Sequence, residues 1–175
     1  MPYEDTPAFY QWLVGHDAGS ALALQFLMLT VERPSEVRLA SMRKIDRDVW
    51  VLPPDRMKTG KEHRVPLTPE ALKVVQTARS RSGTDYLFPT AGGAPMLDSA
   101  MSKFMLENQC KARPHGFRPT FRTWVEEQSD TAFELKEACL GHAVDAGVVG
   151  AYQRSDRLAK YRALMTKWAE FLTKS

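Results

Sequence analysis

The most restrictive feature of this sequence is an almost unbroken apolar run at residues 20–29. A run of this length without a polar face predicts a buried helix. The run stops at Thr30, and Pro34 opens a second, short helix, because proline is well tolerated in a first helical turn. We therefore expect a buried helix that ends in a break at residues 30–32.

Composition places the chain among ordinary globular proteins. Its 175 residues suffice for one domain with a core, with 43% hydrophobic and 26% charged residues. A net charge of +3 permits nucleic-acid binding without arguing for it, because clustering of charge is what counts. No apolar run approaches about 20 residues, and the N-terminus lacks a signal-peptide pattern, so we expect no membrane span. Cys110 and Cys139 lack metal-ligand spacing and are expected to be reduced cytosolic thiols.

The remaining pattern predicts mostly helix with one small antiparallel sheet. Residues 49–52 favour a strand, and residues 58–61 predict a turn that leads back into residues 64–67. Thr68 and Pro69 mark a capped helix start. Further elements are helices from residue 6, at 98–110, from the 114–118 loop through 124, at 134–140 and at 158–172, and an extended piece at 86–88. The predicted fold class is α+β, mainly α-helical, in a single domain spanning residues 1–175.

Two upstream segments carry cations suited to a phosphodiester. Arg33 opens the second helix, where its guanidinium could donate two hydrogen bonds to phosphate oxygens, with Glu36 holding it in place. On spacing alone, a surface Arg–Glu pair is the more ordinary explanation. Lys58 lies at the predicted hairpin tip, where an ammonium could give a proton to a leaving oxygen. A solvated loop lysine is the ordinary alternative, and Lys61 competes for the same role.

His115 and Arg118 form a His-x-x-Arg motif at a helix start. One turn of spacing places both on the same side, and the helix start adds free backbone N–H groups that favour a phosphate. Arg122, one turn further, is a rival phosphate ligand that ranks below Arg118. As a bare motif, the pair also fits a polar loop histidine and a surface arginine.

The last segment places a histidine ahead of a tyrosine. His142 follows Gly141, and glycine suits a helix end that turns towards a site. Tyr152 comes ten residues later. Most tyrosines are packing residues, and Tyr161 lies in the apolar stripe of the last predicted helix. A phenol has a pKa of about 10, so a nucleophilic tyrosine needs nearby cations that favour the phenolate.

In this order, residues 30–40, 56–67, 115–124 and 140–152 resemble the motif boxes of tyrosine recombinases, in particular phage and prophage integrases. The resemblance runs from about Pro7 to Leu172, nearly the whole chain. It implies the catalytic fold of these DNA breaking-rejoining enzymes. The catalytic residues that it implies are Arg33, Lys58, His115, Arg118, His142 and Tyr152, the nucleophile.

The resemblance also implies the chemistry. Tyr152 attacks a DNA phosphodiester and forms a 3′-phosphotyrosyl link with a free 5′-hydroxyl, and a partner strand's 5′-hydroxyl reverses the step. The two arginines clamp the phosphate with support from His142. His115 is the general base, and Lys58 is the acid on the leaving oxygen. The bond energy stays in the covalent intermediate, so no metal and no cofactor are expected.

Further expectations concern partners and context. The resemblance implies double-stranded DNA attachment sites, a homotetramer on DNA in the full-length protein, and accessory excision or DNA-bending proteins. We expect Lys61, His63 and Arg64 to be solvated or to contact backbone phosphates, with Arg122 as a further DNA contact. N-terminal arm-binding and core-binding domains, which full integrases carry, are expected to be absent from this chain. The expected location is the bacterial cytoplasm, at the nucleoid during the reaction.

The expected function is site-specific recombination that integrates or excises a prophage or genomic island. Two other classes remain open from the sequence. One is a type IB topoisomerase-like enzyme that relaxes DNA without strand exchange, since the same residue types serve both. The other is a catalytically inactive DNA-binding remnant of a prophage.

Overall fold

The computed structural model describes residues 1–142 and 154–174. Its helices are α1 (Thr6–Val14), α2 (Gly19–Thr30), α3 (Pro34–Arg38), α4 (Pro69–Arg81), α5 (Ala100–Glu107), α6 (Phe117–Gln128), α7 (Phe133–Cys139) and α8 (Arg154–Thr173). Three strands, β1 (Ile45–Asp46), β2 (Val49–Leu52) and β3 (His63–Pro66), form one antiparallel sheet in that order. The predicted mainly helical α+β fold with a small antiparallel sheet is confirmed. No helix in the two described stretches is long and apolar enough to cross a bilayer.

Helix α2 is the centre of the core, as its apolar run predicted. Every residue from 21 to 30 is buried, and the helix contacts α1, α4, α5 and α8. Phe26 packs against Trp50 of β2 and against Phe88, with ring centroids 5.1 and 5.8 Å away. Removing such side chains from water stabilises the fold by roughly 25 cal/mol per Å² of apolar surface.

A left-handed residue ends α2 at the predicted break. Val31 has φ 51° and ψ 23°, and its N–H donates to the Leu27 carbonyl at 2.8 Å. This conformation is strained for a β-branched residue. Helix α3 begins three residues later at Pro34, with Arg33 as its N-cap. The backbone therefore leaves the path of α2 immediately before the first candidate arginine.

The predicted hairpin is present, and a strand that the sequence analysis missed extends it. β2 pairs with β3 through Trp50 opposite Val65 and Val51 opposite Arg64. Trp50 and Val65 are buried, whereas Arg64 is exposed, so one face of the sheet packs on the core. β1 comprises only Ile45–Asp46, and two residues are too few to show an alternating pattern.

The tip of this hairpin is a tight turn. The Gly60 N–H donates to the Met57 carbonyl at 2.9 Å, and Gly60 has φ 62°. Glycine adopts this conformation without a steric penalty, which explains its place after Lys58 and Thr59.

Other local predictions had mixed outcomes. Thr68 caps α4 by accepting a hydrogen bond from the Ala71 N–H at 3.3 Å, as predicted. Residues 86–88 form no strand, since Tyr86 makes only an isolated bridge to Ser41. Helix α8 begins at Arg154, earlier than the predicted residue 158.

Helix α8 closes the domain against α2, α6 and α7. The Trp168 indole lies 4.9 Å from the Trp124 ring of α6 and donates to the Met28 carbonyl at 2.7 Å. The Tyr161 hydroxyl donates to the Cys139 carbonyl of α7 at 3.1 Å. Tyr161 is buried, so its predicted place in the core is confirmed.

Candidate active site

Arg118 is the most firmly held of the candidate cations. Its Nη1 donates to the Val31 carbonyl at 2.7 Å and its Nη2 to the Leu140 carbonyl at 2.5 Å. The side chain is therefore fixed between the end of α2 and the end of α7. Arg118 is only 5% exposed, and burial lowers its pKa, an effect that neighbouring Glu32 opposes and Arg33 reinforces. A guanidinium has five N–H donors, so two carbonyl partners leave others for an anion.

His142 lies beside Arg118. Its Nε2 is 3.5 Å from Arg118 Nη2, while its Nδ1 is 2.7 Å from Glu137 Oε2. The other oxygen of Glu137, Oε1, accepts a hydrogen bond from Arg122 Nη1 at 2.6 Å. The predicted pair of Arg118 and His142 is thus brought together by α6 and the end of α7.

The backbone that carries His142 ends α7 in a Schellman motif. The Gly141 N–H donates to the Ala138 carbonyl at 3.0 Å, and the His142 N–H donates to the Glu137 carbonyl at 3.0 Å. Gly141 has φ 60°, and a Cβ there would lie 3.0 Å from the Met57 methyl carbon. The backbone conformation therefore favours glycine at this position, and a side chain there would also have to displace the Met57 methyl group of the lysine hairpin.

Arg33 stands where α3 begins and is partly buried. Its charge lowers the pKa of both Glu36 and Arg118, although burial is the largest influence on each. Glu36 Oε2 lies 2.9 Å from Arg56 Nη2, close enough for an ion pair. The two groups are not aligned for a hydrogen bond, so this oxygen has no hydrogen-bond partner in the described residues. Arg56 also donates to the Leu39 carbonyl at 3.2 Å. The Arg56 guanidinium therefore joins the hairpin to α3 and to the residue that follows it.

The basic residues of the hairpin differ in how exposed their side chains are. Lys58, Lys61 and Arg64 are exposed, and within residues 1–142 and 154–174 none of their side chains forms a hydrogen bond or ion pair. The expectation that His63 is solvated is wrong, and its alternative, a phosphate contact, stays a prediction. His63 is 13% exposed, and its Nε2 lies 2.8 Å from Oε1 of Glu32, a carboxylate that is 0% exposed. A buried carboxylate is costly to leave unpaired, which explains why this imidazole turns inwards.

His115 lies in a 3-10 turn, Pro114–Gly116, immediately before α6. The imidazole is exposed, and among the described residues its side chain has no hydrogen bond or ion pair. Pro119 lies in the first turn of α6, where a backbone N–H has no partner within the helix. The structure therefore accommodates this proline without loss of a helical hydrogen bond.

Tyr152 lies outside the described residues. Two other tyrosines are poor nucleophile candidates because they are buried. Burial raises the pKa of Tyr161 well above its ordinary value and that of Tyr10 to about 12. Neither phenol forms a phenolate readily at neutral pH.

Three polar residues of the site escaped the sequence analysis: Glu32, Arg56 and Glu137. Glu32 pairs with His63, Arg56 with Glu36, and Glu137 with Arg122. Each partner belongs to another element or loop. Only Glu32 had a signal in the sequence, because it is an acidic residue at the end of an apolar run. No group of three or more His, Cys, Asp or Glu side chains that could hold a metal occurs in the described part of the chain.

A buried guanidinium beside an imidazole, with a lysine hairpin touching the same turn, defines a class of site that binds and polarises an oxyanion. Residues 4–158 match the model of the phage integrase family. The chain belongs to this family.

Named relatives and solved structures agree with that assignment. Prophage integrase IntZ of Escherichia coli K12 is 32% identical over 97% of this chain and 44% of its own length. For prophage integrase IntA of the same strain the identity is 30%, over 83% of this chain and 37% of IntA. The chain thus spans less than half of these relatives.

The fold is similar to that of known recombinases. A lambda integrase dimer bound to a COC′ core site has a TM-score of 0.64 at 14% identity, over 93% of this chain and 47% of that one. XerA recombinase has a TM-score of 0.61 at 15% identity, over 98% of this chain and 57% of that one. At such low identity, these likenesses establish the tyrosine-recombinase catalytic fold.

Proposed function

We propose that this chain is the catalytic domain of a tyrosine site-specific recombinase, which breaks and rejoins DNA through a 3′-phosphotyrosyl intermediate. The observation that carries the proposal is the fixed Arg118 guanidinium beside the His142 imidazole. Both residues lie in segments that resemble motif boxes of the family, and the other such segments occur in the same chain, within the residues that match the family model.

In the proposed reaction, the Tyr152 phenolic oxygen attacks phosphorus and the bond from phosphorus to the 5′ oxygen breaks. His115 accepts the phenolic proton, and Lys58 gives a proton to the departing 5′ oxygen, so charge balances without a metal. The reverse attack by a partner strand's 5′-hydroxyl regenerates the phenol. No cofactor is required, because one phosphodiester is exchanged for another.

Arg33, Arg118 and His142 act on the phosphate in this scheme. Negative charge grows on the non-bridging oxygens as the phosphorus becomes pentacovalent, and fixed donors stabilise that charge best. The two carbonyl bonds of Arg118 support this role, since they orient the guanidinium before DNA arrives. Because burial already lowers the Arg118 pKa, a phosphate partner would compensate a charge that is costly to keep in the protein.

The proposal extends to the partners of the protein and to its location in the cell. Its substrates are double-stranded DNA attachment sites, and in the full-length protein the active assembly is a homotetramer on DNA. Lys61 and Arg64, both exposed, contact DNA phosphates in this scheme. The reaction integrates or excises a prophage or genomic island in the bacterial cytoplasm. Accessory excision or DNA-bending proteins assist it.

A nicked suicide substrate carrying candidate attachment sites tests the proposal. The wild type should form a covalent protein–DNA adduct that persists in excess EDTA. Tyr152→Phe should abolish the adduct and preserve DNA binding, because only the phenolic oxygen is lost. The matched control, Tyr161→Phe, also removes one phenolic oxygen and should retain the adduct.

Other outcomes would contradict the proposal in different ways. An adduct lost in Tyr161→Phe and kept in Tyr152→Phe would reassign the nucleophile. DNA binding without any adduct would indicate a non-catalytic DNA-binding protein. Relaxation of supercoils without strand exchange would indicate a topoisomerase-like enzyme.

A further inference from the structure

We propose that Glu137 is a positioning residue, which fixes the His142 ring so that its Nε2 faces the reacting phosphate. This inference rests on the proposed function. Glu137 uses both carboxylate oxygens: Oε2 lies 2.7 Å from His142 Nδ1, and Oε1 lies 2.6 Å from Arg122 Nη1. Its side chain is 20% exposed.

The first step of the argument is the tautomer. An ionised carboxylate only accepts hydrogen bonds, so a contact of 2.7 Å requires the proton on His142 Nδ1. In the neutral ring, Nε2 is then the unprotonated nitrogen. That nitrogen is 3.5 Å from Arg118 Nη2, on the side of the ring where the buried guanidinium lies. A proton taken up by the ring must go to Nε2, where it becomes a donor for a phosphate oxygen.

The second step is the support behind Glu137. Arg122 follows Arg118 by one turn of α6, so a single helix presents one guanidinium to the site and the other to the carboxylate. The Arg122 guanidinium also lies 5.2 Å from the centroid of the Phe133 ring at the start of α7. Arg122 therefore holds the carboxylate in its orientation, and it acts on the reaction through Glu137.

The third step separates positioning from simple attachment of α7 to α6. A second ion pair joins the same helices, because Lys136 Nζ lies 2.7 Å from Glu126 Oε2. This pair makes no hydrogen bond to His142 in the described residues. If Glu137 only attached α7 to α6, breaking either pair would have the same consequences.

The experiment compares Glu137→Gln with Glu126→Gln in the whole chain. Ring nitrogens of ¹⁵N-labelled histidine are observed by NMR at a pH where the imidazole is neutral, and His142→Asn assigns the His142 signals. The wild type and Glu126→Gln should show His142 protonated at Nδ1. Glu137→Gln should show a mixture of tautomers, because an amide can meet the ring with either its oxygen or its nitrogen.

Single-turnover cleavage at saturating DNA gives the second readout. Glu137→Gln should cleave about tenfold more slowly, by analogy with the lower end of the effect seen when a carboxylate behind a metal-ligating histidine is removed. Glu126→Gln should cleave within about twofold of the wild type, since Glu126 is 60% exposed and its partner Lys136 makes no hydrogen bond to His142 in the described residues. DNA affinity should be unchanged in both variants.

Two results would overturn the inference. Equal slowing of cleavage in both variants, with equal loss of melting temperature, would show that Glu137 only attaches one helix to the other. A His142 ring protonated at Nε2 in the wild type would refute the positioning role. The second result does not depend on cleavage, so it is distinguishable from failure of the proposed recombinase activity.

Discussion

The two sides of the candidate site differ in how their charged groups are held. On the side of α6 and α7, Arg118 bonds to carbonyls from two other parts of the chain, and His142 bonds to a carboxylate that Arg122 holds from behind. On the side of the hairpin between β2 and β3, Lys58 and Lys61 are exposed, and neither has a side-chain partner in the described residues. One side is rigid before substrate binds, and the other keeps side-chain freedom.

This difference matches the two tasks assigned to the site. Charge stabilisation in a transition state is strongest when the donors are already oriented, because no reorganisation is needed during the reaction. Proton transfer needs a group that can approach a moving oxygen, and a flexible lysine stem allows that approach. The comparison therefore predicts that substitutions on the rigid side affect both folding and chemistry, whereas substitutions on the other side affect chemistry alone.

The largest effect is expected from Arg118→Ala. Cleavage should fall about 1000-fold, comparable with the loss of a preorganised oxyanion donor. The free energy of unfolding should also fall by about 2 kcal/mol, because the buried carbonyls of Val31 and Leu140 lose their donor. Suicide-substrate cleavage and urea denaturation measure the two quantities.

Arg33→Ala is the matched comparison for Arg118→Ala. It should lower cleavage to a similar degree and leave the unfolding free energy within about 0.5 kcal/mol of the wild type, because within residues 1–142 and 154–174 the Arg33 side chain makes no hydrogen bond or ion pair. Equal destabilisation by the two substitutions would show that the carbonyl bonds of Arg118 do not contribute to stability.

A smaller effect, about 100-fold on cleavage, is expected from Lys58→Ala, since general acid catalysis is lost. A substrate with a 5′-thiolate leaving group should largely restore the rate, because that group departs without a proton. Lys61→Ala, in the same exposed loop, should weaken DNA binding and leave the cleavage step unchanged. No recovery of Lys58→Ala on a thiolate substrate that the wild type cleaves would remove Lys58 from the role of acid.

The smallest effect concerns Glu36 and appears in stability alone. Burial raises the pKa of the Glu36 carboxyl above its ordinary value of 4.5, although Arg56 partly opposes the rise. The folded state therefore holds this proton more tightly than the unfolded state. The associated stability is present below the ordinary pKa and is lost as pH rises through the raised one.

Glu36→Gln removes this titration. The unfolding free energy of the wild type relative to Glu36→Gln should decrease between about pH 4 and about pH 7. Denaturation at both pH values measures the difference. A constant or increasing difference would show that ionisation of Glu36 does not oppose folding.

The fold was largely predictable because its elements are encoded locally. The apolar run of α2, the Thr68 cap of α4 and the turn before Gly60 each depend on residues within a few positions of one another. The two residues of β1 were missed because they show no alternating pattern of their own and are defined as a strand by their pairing with β2. The motif boxes were likewise found as contiguous segments.

The partners within the site were not predictable in the same way. The pairing of Glu32 with His63 joins positions 31 residues apart, and that of Arg122 with Glu137 joins positions 15 apart on different helices. Such contacts depend on how helices and strands pack, which local periodicity does not specify. For that reason His63 was misassigned to solvent, and Glu137 was not recognised as a partner of His142.

The two carbonyl bonds of Arg118 have a consequence for the order of folding. They reach Val31, 87 positions earlier in the chain, and Leu140, 22 positions later. The cradle for a phosphate therefore cannot exist until distant parts of the chain have come together. A nascent or partly unfolded chain carries the tyrosine without an oriented guanidinium beside it. Under the proposed function, correct folding is thus a safeguard, because the ability to cut DNA would arise only in a chain that has also completed the structure needed to reseal it.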